Sequence, residues 1–140
     1  MPQPADTLRA AADKLRALLA ALPADRWNGR PWHAEECSDT DDMSPCPCIV
    51  AQGEYREFDQ PQIPLIQYVA DAETPEHAAY IAAMHPGVGT ALADSLDSAA
   101  ELAASYPDLA REHDRAACDD YACDLMGRSL ALARAVNAAG

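Results

Sequence analysis

Residues 68–89 constrain the fold of this chain more than any other stretch, because an apolar, strand-like run gives way there to a helix bounded by prolines. Pro75 suits the first position of a helix, where its missing N–H would have no partner in any case, and Thr74 before it is a good N-cap residue. Pro86 ends that helix and can begin the next one. The pattern predicts a strand, a short helix to Met84, and a second helix from Pro86 to about Ser105.

The N-terminal region has an apolar stripe at alternating steps of three and four residues, with charged side chains between. This spacing predicts an amphipathic helix over about residues 6–22, within an N-terminal segment 1–23 that Pro23 ends. The stripe consists of Leu8, Ala11, Leu15, Leu18 and Leu22. Such a narrow stripe packs either on the protein's own core, which we favour, or against a helix of a partner.

A small antiparallel sheet is expected between these helical regions. Trp32 begins it, and two further strands are predicted over residues 48–56 and 63–70, joined by a turn at 59–61. Pro64 favours an edge position for the last strand, or a place at its entry, because proline cannot donate to the ladder. The apolar residues of Ile49-Val50-Ala51 and Leu65-Ile66 are consecutive rather than alternating, which predicts that helices cover at least part of the sheet on both faces. The acidic stretch 35–42 is expected to be a loop.

The C-terminal segment, residues 107–140, reads as helical, but periodicity does not decide between one helix and two. Asp119 or Asp120 can cap a final helix. The whole chain is therefore predicted to be a single α+β domain over residues 1–140, with an N-terminal helix, an antiparallel sheet of two to three strands, and a C-terminal helical hairpin or bundle. A chain of 140 residues that is 49% hydrophobic has enough apolar surface for one core. The residues expected in that core are Leu65, Val69, Ile81, Leu92 and Leu96.

Residues 31–106 carry a pattern with a family likeness. Pro31-Trp32 begins a short sheet, a helix then reads Ala-x-x-Ile-Ala-x-x-x-Pro from Ala78 to Pro86, and a Leu-rich helix follows. This pattern resembles a family of small phage and mobile-element accessory proteins. The resemblance implies a non-enzymatic accessory protein that acts by binding a host protein or a protein encoded by the element. Residues 107–140 lie outside it.

Charge limits the kinds of partner. The net charge is −13, and it is divided unequally, with +2 over residues 1–34 and −15 over residues 35–140. An acidic surface repels phosphate backbones, so we expect no nucleic-acid binding and favour a protein partner that is basic. Mimicry of a polyanion such as DNA is the alternative. The oligomeric state is left open.

The N-terminus lacks the basic start and apolar run of a signal peptide, and no stretch reaches the roughly 20 apolar residues of a membrane span. We therefore expect a cytoplasmic protein without a membrane partner. In that reducing compartment the five cysteines are expected to be thiols or metal ligands.

Cysteine and histidine supply the ligand types of a tetrahedral zinc site, although their spacing is not that of a zinc knuckle. A five-residue step along a helix turns two side chains about 140° apart, so Cys118 and Cys123 share a site only if Cys118 lies in a loop before the helix. A zinc ion that joins the 37–48 loop to the 113–123 segment would make the protein a small structural zinc-binding module, which is an alternative function. The competing interpretation is buried or reactive thiols, and zinc is the one cofactor to consider. The candidate ligands are Cys37, Cys46, Cys48, His113, Cys118 and Cys123.

Catalytic motifs are lacking, since the chain has neither a Gly-x-Ser-x-Gly elbow nor a His-Glu-x-x-His pair. We therefore predict that the protein is not an enzyme. A cysteine nucleophile beside His33 or His113 is the enzymatic alternative. The glycines after His85 allow an anion site at a helix start, but a turn between two helices is the favoured interpretation.

Overall fold

The computed structural model describes residues 2–22, 31–36, 47–55, 64–111 and 113–139. The predicted turn at 59–61, most of the acidic loop at 35–42, and the candidate ligands Cys37 and Cys46 lie outside these residues.

The fold is α+β, with helices at both ends of the chain and a small antiparallel sheet between them. Two short 3-10 helices, Pro107–Ala110 and Arg115–Ala117, precede the last α-helix. In chain order the main elements are α1 (Pro4–Ala21), β1 (Trp32–Glu36), β2 (Pro47–Tyr55), β3 (Pro64–Asp71), α2 (Pro75–Ala83), α3 (Pro86–Ser105) and α4 (Tyr121–Ala138).

The chain divides into two compact units, one formed by Met1–Ala21 with Thr90–Gly140 and the other by Leu22–Gly89. Each unit has its own cluster of buried apolar residues. The sequence-based expectation of one core therefore differs from the structure. The prediction of a single folding domain stays a prediction.

The first unit is built from α1, α3 and α4, which bury small and aliphatic side chains against one another. Leu96 and Met126 are among its largest fully buried side chains, and the many alanines of the core allow close approach of the helices. The buried cluster comprises Leu8, Ala11, Ala12, Leu96, Ala100, Ala103, Ala110, Met126, Leu130 and Ala133. The apolar stripe of α1 thus packs on the protein's own helices, as we favoured, although Leu18 is 59% exposed.

Polar contacts tie α1 to the other helices of this unit. The Arg16 guanidinium contacts Asp94 at 3.0 Å and also pairs with Asp97 on α3. Asn137 on α4 donates its side-chain N–H to the carbonyl oxygen of Thr7 at 3.1 Å. These groups are exposed or half-buried, so they orient the helices more than they stabilise them.

The second unit is a three-stranded antiparallel sheet, in the order β1-β2-β3, with α2 packed on it. Four consecutive residues of β2, Cys48 to Ala51, are all buried, so both faces of this strand are covered as expected. The contacts described within this unit place α2 on the sheet, and the expectation of helices on both faces stays a prediction. Pro64 begins β3 at an edge of the sheet, also as expected. Glu35 and Glu36 belong to β1, where a loop was expected.

The short helix α2 begins as the sequence predicts. Thr74 is its N-cap and accepts a hydrogen bond from the His77 N–H at 3.2 Å, with Pro75 at the first helical position. Ala78 and Ala82 face Ile49 of the sheet. Ile81 was expected to be buried and is 38% exposed, because the small alanines make the contact with the sheet.

Leu96 is buried as predicted, whereas Leu92 and Val69 are only partly buried.

Within the described residues, no helix is both long enough and apolar enough to span a bilayer.

A candidate metal and thiol site in the C-terminal segment

Between the 3-10 helix Pro107–Ala110 and α4 lies the second 3-10 helix, Arg115–Ala117, and two aspartates order the described backbone there. A carboxylate oxygen of Asp114 accepts a hydrogen bond from the Ala116 N–H at 3.0 Å. Asp120 is the N-cap of α4 and accepts from the Ala122 N–H at 2.9 Å. Because of this cap, Cys118 precedes the helix while Cys123 lies in its first turn.

Three potential ligands converge in this segment. One ring nitrogen of His113 and the sulfur atoms of Cys118 and Cys123 all lie within 4.8 Å of one another. The two cysteines can share a site only if Cys118 lies before the helix, because a five-residue step within a helix would turn their side chains apart. The structure meets this condition, since Cys118 precedes α4.

The three side chains differ in their access to solvent. His113 is exposed, Cys118 is half-buried, and Cys123 is 8% exposed. The site therefore opens on the side of the histidine and is closed beneath Cys123.

The His113 ring is oriented by the backbone. Its Nδ1 lies 2.8 Å from the carbonyl oxygen of Arg111. A carbonyl oxygen only accepts, so Nδ1 carries the proton, and the lone pair of the neutral ring is on Nε2. A backbone carbonyl that takes one ring N–H in this way is the usual second partner of a metal-bound histidine.

The two cysteines have different acid–base properties. The pKa of Cys118 is lowered, mainly because the Asp120 backbone N–H donates to its sulfur, with a hydrogen bond from the cationic form of His113, which carries an N–H on both ring nitrogens, as the next cause. The pKa of Cys123 is raised, first by burial, then by its hydrogen bond with Cys118 and by the charges of Cys118 and Asp120. Cys118 is thus the sulfur more readily converted to a thiolate.

Of the remaining candidate ligands, only Cys48 lies within the described residues. Cys48, on β2, is disulfide-bonded, so it offers no thiolate to a metal, and this corrects the expectation that all the cysteines are thiols or ligands. Cys37 and Cys46 lie outside the described residues. His33 lies on β1 and is exposed.

Asp120 is the functional residue that sequence reasoning did not assign to the site. It was a candidate helix cap, yet it also donates its backbone N–H to Cys118 and places its carboxylate near Cys123. In the sequence, Asp120 lies two residues after Cys118 and three before Cys123, and this position is the signal that could have assigned it to the site.

The segment after His85 satisfies its own polar groups. The Gly87 N–H donates to His85 Nδ1 at 3.1 Å, and the Val88 and Gly89 N–H groups donate to the His85 carbonyl oxygen. Because these donors have partners within the turn, the geometry favours the turn interpretation over an anion site.

Comparison with known proteins gives no relative from which a function can be transferred. No family model, no curated protein and no solved structure matches the chain. The resemblance to phage and mobile-element accessory proteins stays an expectation.

Proposed function

We propose that this protein is a small zinc-binding module in which His113, Cys118 and Cys123 hold the metal. The observation that carries the proposal is the convergence of their three ligand atoms within 4.8 Å. In a tetrahedral zinc site with Zn–S of about 2.3 Å and Zn–N of about 2.0 Å, neighbouring ligand atoms lie about 3.5 to 3.8 Å apart. Small side-chain movements bring the three atoms to that spacing.

Hydrogen bonds that His113 and Cys118 make with neighbouring residues also support metal binding. Arg111 fixes the tautomer of His113 that leaves the lone pair on Nε2. The Asp120 N–H stabilises the thiolate form of Cys118, and a metal bound to Cys118 would lower the pKa of Cys123 in turn. Three protein ligands leave one coordination position for water or for an external ligand.

The metal would stabilise a part of the fold that has little core of its own. Between Ala110 and Met126, Cys123 is the one described residue that is buried. Linking His113 and Cys118 to the first turn of α4 would therefore hold the residues that precede α4 against the helix, as structural metals do in small modules.

The test is metal analysis of the full-length protein purified without added zinc. We expect close to one equivalent of zinc, and loss of that zinc in Cys118→Ser and in Cys123→Ser. His33→Ala is the matched control, because it removes an exposed histidine outside the cluster and should leave the metal content unchanged. A metal-free protein that takes up neither zinc nor cobalt on titration would eliminate the proposal.

The function implied by the family resemblance is proposed as the broader biological role, namely a non-enzymatic protein that binds a host or element-encoded protein. Large apolar side chains on the described surface support it, since Tyr80 is 70% exposed and Tyr121 is 73% exposed. Cross-linking in the native host followed by mass spectrometry tests this role. Recovery of no protein cross-linked to the chain would count against it.

A cytoplasmic location is part of this proposal. The thiols of Cys118 and Cys123 support a reducing compartment, whereas the disulfide at Cys48 is the kind of bond that oxidising compartments favour. Rapid alkylation in intact cells, followed by mass analysis of Cys48, measures which state occurs there. A persistent disulfide would place the protein in an oxidising compartment.

A further inference from the structure

Beyond metal binding, we propose that Cys118 and Cys123 form a dithiol that exchanges with low-molecular-weight disulfides, with Cys118 as the attacking sulfur and Cys123 as the resolving sulfur. The two sulfur atoms lie within 4.8 Å of each other and are hydrogen-bonded. This activity uses two of the proposed metal ligands but requires no metal.

Unequal access assigns the two roles. Cys118 is half-buried beside the exposed His113, so a small disulfide can reach it. Cys123 is 8% exposed in the first turn of α4, where it can contact the Cys118 sulfur but is poorly placed to meet an external molecule. A reachable first sulfur with a shielded second sulfur behind it is the arrangement that favours internal resolution over double modification.

The surroundings of Cys118 suit an attacking sulfur. The Asp120 backbone N–H donates to its sulfur, and His113 lies within hydrogen-bonding distance of the same atom. Cys118 also precedes the α4 N-cap, so its backbone is not fixed by the helix and can move towards Cys123 when the disulfide closes.

The reaction balances in two steps. The Cys118 thiolate attacks one sulfur of an external disulfide, which forms a mixed disulfide and releases the first external thiolate. The Cys123 sulfur then attacks Cys118, with its proton passing to the released thiolate, and the second external thiolate leaves as the Cys118–Cys123 bond forms. The dithiol is oxidised by two electrons, and the external disulfide is reduced to one thiol and one thiolate; the thiolate takes up from solvent the proton that Cys118 released on ionising.

The chain offers a clean way to follow the product. Trypsin cleavage after Arg115 and Arg128 yields one peptide with both Cys118 and Cys123 and no other cysteine. Formation of the internal disulfide removes two hydrogens from this peptide, whereas a mixed disulfide with glutathione adds a glutathionyl group. Cys37, Cys46 and Cys48 lie together in a different tryptic peptide.

The experiment treats the full-length protein with a chelator and then with oxidised glutathione, and quenches samples over time with acid. We expect the peptide to lose two hydrogens as two equivalents of glutathione are released. Cys123→Ser should stop at one glutathionyl group on Cys118, and Cys118→Ser should lose the fast phase of the reaction. Retention of glutathione on both cysteines of the parent, or an unchanged rate in Cys118→Ser, would overturn the proposal.

This outcome is independent of zinc. Disulfide exchange is measured after the chelator has removed any metal, so its result does not depend on whether the protein binds zinc. A protein without zinc can still exchange with glutathione disulfide, and a protein that binds zinc can fail to exchange with it. Zinc content, measured separately on the untreated protein, tests the other proposal. If both hold, bound zinc should protect both cysteines from glutathione, because the same sulfur atoms are then coordinated.

Discussion

His113 Nδ1 lies 2.8 Å from the carbonyl oxygen of Arg111, two residues earlier in the chain. This short local bond fixes which nitrogen of the ring carries the proton, and hence which nitrogen can bind a metal. It depends on Arg111 and His113 lying outside any helix, because a helix would direct the Arg111 carbonyl along its own axis.

We predict that His113→Ala abolishes stoichiometric zinc binding while leaving the metal-free protein about as stable as the parent. The side chain is exposed, so its loss creates no cavity, and surface substitutions usually change stability by less than about 0.5 kcal/mol. The measurements are zinc content and the melting temperature with and without chelator. A variant that keeps one equivalent of zinc would remove His113 from the ligand set.

The second prediction concerns the ordinary reactivity of the two thiols in chelator-treated protein. Alkylation of Cys118 by iodoacetamide should reach half its maximal rate at a pH below that of an unperturbed cysteine, because its pKa is lowered by the Asp120 N–H and by His113. The corresponding midpoint for Cys123 should lie above it, since burial and neighbouring negative charge raise its pKa.

Peptide mapping of samples alkylated at a series of pH values measures both midpoints. The midpoint is used rather than the rate itself, because restricted access slows alkylation without moving the midpoint. Coincident midpoints for the two cysteines would contradict the asymmetry of the site.

Much of the fold could be predicted from local sequence signals. The helix predicted over 6–22 is observed as Pro4–Ala21, and the α2 cap at Thr74 and the start of α3 at Pro86 are as predicted. Proline positions and cap residues act within a few residues of themselves, so the sequence displays them directly. Periodicity failed over residues 107–120 because that stretch forms two short 3-10 helices, which have no 3.6-residue repeat.

The candidate site could be predicted from the sequence only in part. The sequence identified His113, Cys118 and Cys123 as candidates and stated the backbone condition for the two cysteines to meet, but it gave six candidates and no way to select among them. The selection depends on where α4 begins, which Asp120 decides. The exposure of Ile81 depends on tertiary packing, which spacing along the chain does not encode.

Leu96 provides a test of the first unit's core. Leu96→Ala should lower the free energy of unfolding by about 2 to 5 kcal/mol, the usual cost of this truncation at a buried site, since the side chain is 1% exposed among α1, α3 and α4. Leu102→Ala on the same helix is the matched control at 40% exposure and should cost less than about 1 kcal/mol. Denaturant unfolding measures both, and equal losses would mean that α3 does not present the described face to the core.

The fourth prediction follows from the charge. With a net charge of −13, the purified protein should not shift duplex DNA in a gel at physiological salt, because its surface repels the phosphates. A DNA-binding protein of similar size serves as the positive control in the same gel. A clear shift by this chain would show that a local basic region outweighs the overall repulsion.

The last prediction separates the two roles of Asp120. Its carboxylate caps α4 through the Ala122 N–H at 2.9 Å and also lies near Cys123, whose pKa its negative charge helps to raise. Asp120→Asn keeps an oxygen for the cap and removes the charge, so stability should change little while the alkylation midpoint of Cys123 moves to lower pH. Asp120→Ala removes the capping oxygen as well as the charge. It should therefore also lower the free energy of unfolding by about 1 kcal/mol, the typical contribution of an N-cap. Denaturant unfolding and the pH series of Cys123 alkylation give the two readouts for each variant. If Asp120→Asn left the Cys123 midpoint unmoved, the carboxylate would act on α4 alone and the raised pKa would be due to burial and Cys118.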